Sequence, residues 1–83
     1  MFIQLTATPN KDTIDGYTYK TYRAGINYTI LRTSENIVDV WKDNRMRGSL
    51  STVRYWDGVD NQGKKMPKFL TQIIKLIEES KEV

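Results

Sequence analysis

The last third of the chain carries the feature that most restricts its fold. Met66, Phe69, Leu70, Ile73, Ile74 and Ile77 fall at i, i+3, i+4, i+7, i+8 and i+11. That spacing draws one apolar stripe along an α-helix, with Lys68, Thr71, Gln72, Lys75 and Glu79 on the opposite side. Pro67 suits the first helical turn, where its missing N–H costs nothing. A lone helix with so wide a stripe must lie on something apolar, and nothing upstream reads as a second long helix. The stripe therefore demands a sheet.

The preceding residues supply candidate strands. Phe2–Thr8 alternates loosely and stops at Pro9-Asn10. Tyr17–Arg23 reads Tyr-Thr-Tyr-Lys-Thr-Tyr-Arg, a composition suited to a pleated surface. Ala24-Gly25 breaks it, and Asn27–Arg32 follows with Tyr28 and Ile30 on one face. Ile37–Lys42 is ambiguous: Ser34 could cap a helix with Ile37, Val38 and Trp41 on its face. The alternation of Val38 and Val40 around Asp39 favours a hairpin strand. Leu50–Trp56 is a further strand, bounded by polar Asp43–Gly48 and by a long turn, Asp57–Gly63. The expectation is an α+β domain, residues 1–83, with a meander of four to five antiparallel strands packed on one C-terminal helix.

Composition then limits the chemistry. The 83 residues include no Cys and no His. Disulfides, thiolate zinc sites, cysteine nucleophiles, imidazole ligands and the commonest general base are all excluded. The apolar share of 39% and charged share of 28% are those of a folded domain. No apolar run approaches the roughly 18 residues of a membrane span, and Met1–Thr6 has no signal-peptide pattern. The expected setting is cytoplasmic, away from membranes. Net charge is +3, but Lys20–Arg54 alone holds seven basic and three acidic residues, a local excess of +4. The basic excess lies among the aromatic strands.

Four kinds of chemistry can be weighed against that background. The aspartates sit mostly in turns, where a carboxylate usually bonds local backbone, and no serine lies in a nucleophile elbow. Enzymatic activity is therefore a distant reading. Asp57–Gly63 looks like a calcium loop only superficially. Val59 stands at its third position and Gln62 at its sixth, so neither a metal nor any other cofactor is expected. Gly63, Lys64, Lys65 and Lys68 before the helix offer an anion-binding reading, set against a plain solvated surface. Lys20, Tyr22, Arg23, Arg54 and Trp56 interleave cations and aromatics, and Arg45 and Arg47 add a basic loop. Such a set fits bases and phosphates of a nucleic acid. It equally fits a protein interface, where Tyr, Trp and Arg dominate. Against both stands the simpler view that aromatics build the core while cations lie over their rims.

The sequence thus points to a non-enzymatic small binding module. A protein partner is the first expectation: a regulator or inhibitor, with phage and mobile-element accessory proteins as the background class. A nucleic-acid-binding domain is the alternative. Partner identity and oligomeric state are not encoded in any motif.

Overall fold

A computed structural model of the protein describes residues 5–80. Five strands, β1 (Thr6–Pro9), β2 (Tyr17–Arg23), β3 (Ile26–Arg32), β4 (Ile37–Asn44) and β5 (Ser49–Trp56), precede one helix, α1 (Lys68–Ser80). The strands form a single antiparallel sheet in the order β1-β2-β3-β4-β5. The expected α+β meander with one C-terminal helix is the fold observed. Ile37–Lys42 lies wholly within β4, so the hairpin strand and not the capped helix is what forms there. The first part of the expected Phe2–Thr8 strand lies outside the described residues. Its visible end runs through Pro9, which pairs with Tyr17. A sheet edge tolerates proline because no ladder donor is needed on its open side.

The turns explain the meander. Ala24 and Gly25, at φ of 52° and 81°, join Arg23 to its partner Ile26. Two central residues at positive φ make the tight turn whose twist matches antiparallel strands. Asp57 and Gly58 do the same, at 54° and 86°. Trp56 and Val59 exchange both backbone hydrogen bonds across that turn, at 2.7 and 3.2 Å. What the sequence presents as one long turn therefore begins as a miniature hairpin folded onto the end of β5. Between β4 and β5, Arg45–Gly48 close a four-residue loop, with Asn44 Oδ1 accepting from the Arg47 N–H.

Register assigns every side chain to one of two layers. Tyr19, Ile30, Val40 and Val53 form one transverse row, and Val38 faces Tyr55 in the next. These residues meet α1 through Leu70, Ile73 and Ile77, each 1% exposed. Phe69 packs edge-on against Tyr28, ring centroids 5.1 Å apart. The stripe read from the sequence is thus the core of the molecule. Burying each of the three aliphatic helix residues contributes on the order of 2 kcal/mol.

Both helix ends lack dipole-compensating charges, with no acid in the first turn and no base in the last. For Glu78 the structure supplies the reason. Its carboxylate accepts a hydrogen bond from Arg32 Nη1 at 2.9 Å, while Arg32 Nη2 donates to the Glu35 carbonyl. The arginine ties the end of α1 to β3 and to the β3–β4 turn. That tertiary contact is set against a dipole penalty of a few tenths of a kcal/mol.

Candidate macromolecule-binding face

The helix covers one face of the sheet; on the other, Thr18 and Asp39 are buried, and no helix among the described residues packs on it. Side chains of opposite parity rise on it in cross-strand rows. One row is Tyr22, Asn27, Asp43 and Leu50; the next is Lys20, Thr29, Trp41 and Thr52. A third is Thr18, Leu31, Asp39 and Arg54, and Ile37 faces Trp56 beyond it. Tyr22 and Leu50 are each 66% exposed, Trp56 58% and Trp41 43%. A scattered exposed apolar side chain needs no explanation, but four large ones on one face do.

Charge on this face is held in place. Arg54 stands directly opposite Asp39 and donates from Nε to Oδ1 at 2.8 Å and from Nη2 to Oδ2 at 3.4 Å. The hydrogen bond to Asp39 raises the guanidinium's already high pKa. The guanidinium lies over a nearly buried carboxylate and is itself mostly exposed. Such a fork is pre-organised, so less side-chain freedom is lost when a partner meets it. Lys20, Asn27, Thr29, Asp43 and Arg45 border a shallow polar hollow of about 390 Å³ at the same side. Arg45 Nε sits 3.8 Å from Asp43 Oδ2, both well exposed, a contact of little energetic weight.

Of the residues read from the sequence, Lys20, Tyr22, Arg54 and Trp56 share the open face. Arg45 and Arg47 extend it through the β4–β5 loop. Arg23 does not belong with them. It lies on the helix side, its guanidinium 4.4 Å from the centroid of the Phe69 ring. Its parity within β2 places it there, opposite to Tyr22. Trp41 and Leu50 join the face and were not singled out in the sequence. Strict alternation from Ile37 through Asp39 to Trp41, and from Leu50 through Arg54 to Trp56, is the signal that finds them.

At the expected anion-binding residues Gly63, Lys64, Lys65 and Lys68, two of the backbone donors are engaged within the turn itself. Asp60 Oδ1 accepts from the Gln62 and Lys64 N–H groups at 2.8 and 2.9 Å, and the Asp60 carbonyl accepts from Gly63. Oxygens of Asp60 thus take the Gly63 and Lys64 N–H groups, while the side chains of Lys64, Lys65 and Lys68 stay exposed. The helix begins only at Lys68, where the first backbone bond runs from the Thr71 N–H to the Pro67 carbonyl. Asp57 and Asp60 are both engaged in turn geometry, and no cluster of three potential metal ligands occurs among the described residues.

A second hollow, about 410 Å³, lies at the end of the sandwich between the β3–β4 turn, Gly58–Val59 and α1. Val38, Met66 and Ile74 line its floor, with Glu35 and Lys65 at its rim. It is wide open, and no catalytic grouping converges on it. No helix among the described residues is long and apolar enough to cross a membrane. Comparison of the chain with protein-family models, with curated proteins and with solved structures returns no match.

Proposed function

We propose that the protein is a non-enzymatic binding module that docks on a protein partner through the open face of its sheet. One observation carries this reading: Tyr22, Trp41, Leu50 and Trp56 are exposed together on the face opposite the helix. Aromatic side chains beside a pre-ordered arginine are the composition of interface hot spots. Lys20, Arg45 and Arg47 rim the aromatic centre, so an acidic partner surface would complement it. The reading keeps the character of a regulator or inhibitor, a small domain acting by occupying another protein.

Affinity capture from the source cells tests it. A partner bound in stoichiometric amounts should be lost with the Tyr22→Ala/Trp56→Ala double variant and kept with Lys75→Ala on the exposed side of the helix. A partner retained by the double variant removes this face from the account. Nucleic acid is the competing ligand, favoured by the four cations Lys20, Arg45, Arg47 and Arg54 around the aromatics. Asp39 and Asp43 on the same face weigh against it, since a phosphate backbone meets them as repulsion. Fluorescence anisotropy with generic single- and double-stranded oligonucleotides at low salt decides between the two. Binding that weakens uniformly in Arg45→Ala/Arg47→Ala and falls steeply with salt would transfer the face to nucleic acid.

A further inference from the structure

The two edges of the sheet are built differently. β1 is four residues long and carries Pro9, devices that blunt an edge against further pairing. β5 is eight residues long, pairs with β4 in unbroken register, and contains neither proline nor lysine. Its free edge is definable. Trp56 turns both its N–H and its C=O outward, to Val59. Backbone direction alternates along a strand, so Leu50, Thr52 and Arg54 also point theirs outward. The Val59 turn plugs this edge at Trp56, and the Gly48 turn, at φ 64°, ends it before Ser49. The open stretch is therefore Leu50 to Arg54, and Thr52 is its midpoint.

We propose that this stretch pairs antiparallel with the same stretch of a second copy, about a two-fold axis at Thr52. In that register Thr52 meets Thr52, and Leu50 meets Arg54 in both directions. Each of these pairs exchanges two backbone hydrogen bonds. No like charges face one another, threonine pairs well with threonine across strands, and the leucine lies along the arginine stem. On the helix side, half-buried Val53 gains cover opposite Ser51. The chain leaves each strand at Gly48, so the partner's backbone turns away before reaching the Val59 plug. The contact is isologous and closes on itself, giving a dimer and not a fibre. Its area is small, so the dimer belongs to the weak class. The pairing uses backbone groups of the sheet edge, and its Leu50–Arg54 contacts lie at the margin of the partner-binding face.

Sedimentation velocity over a concentration series tests it, together with amide hydrogen exchange. The chain should associate to twice its monomer mass with a dissociation constant below about 1 mM. Exchange at Leu50, Thr52 and Arg54 should slow as concentration rises. Thr52→Pro removes an outward donor and leaves the β4 ladder intact, so it should give a monomer with an unchanged melting curve. Leu50→Lys sets an ammonium against the Arg54 guanidinium and should weaken association at least tenfold. It alters only an exposed side chain, and so carries the test if the proline variant does not fold. A monomer mass throughout the series overturns the proposal. So does a dimer that survives Leu50→Lys while the Thr52 amide still exchanges freely.

Discussion

Ala24 shows how a single residue can carry strain for the sake of a turn. It holds φ at 52°, a region that costs a side-chain-bearing residue roughly 1–2 kcal/mol. The turn requires positive φ at both central positions, and asparagine or glycine suits the first of them. Ala24→Asn and Ala24→Gly should therefore each stabilise the fold, Asn by about 1 kcal/mol, as read from urea midpoints. Two buried tyrosines contribute to the alkaline limit. Burial, reinforced by Asp15, pushes the Tyr19 phenol upward, and burial reinforced by Asp60 does the same for Tyr55. A pKa raised on folding means that the native state holds its proton more tightly. The stabilisation is complete below the ordinary phenol value of about 10 and is lost as pH rises past it. Urea midpoints should fall above about pH 10, and phenolate absorbance should show two tyrosines ionising late. Tyr19→Phe/Tyr55→Phe should blunt that fall.

Among the elements, α1 is the one on which the rest depends. Leu70→Ala leaves a cavity at a fully buried position and should cost 2–5 kcal/mol, measured by chemical denaturation. Lys68→Asp places an acid in the first turn and should add about 0.3–1 kcal/mol in the same measurement. The helix was legible because its stripe is continuous and its outer side is polar apart from Leu76. β4 was harder to read for a physical reason. Val38 and Val40 enter the core while Ile37 and Trp41 rise on the other face, so apolar residues sit on both sides and the period blurs. The miniature hairpin at Asp57-Gly58 was hidden because its second arm is a single bridging residue. Arg32 was not legible at all as the clamp for Glu78, since the two stand far apart in the chain and meet only when the helix docks. Asp60 is the opposite case: its carboxylate accepts from the nearby Gln62 and Lys64 N–H groups, the local role that an aspartate in a polar turn suggests.

At the scale of the whole molecule, two layers divide the aromatics. Tyr19, Tyr28, Tyr55 and Phe69 pack between sheet and helix, whereas Tyr22, Trp41 and Trp56 stand outside. Composition alone separates neither group; strand parity does, placing Lys20, Tyr22, Arg54 and Trp56 on the open face and Arg23 on the helix side. The chain's two tryptophans both belong to the open face, which makes them a built-in reporter of it. The most direct measurement is a fluorine NMR titration of the 5-fluorotryptophan-labelled chain with the captured partner. Both resonances should shift and broaden together as the complex forms. Binding that leaves both tryptophan signals unmoved would contradict the claim that the partner docks on this face.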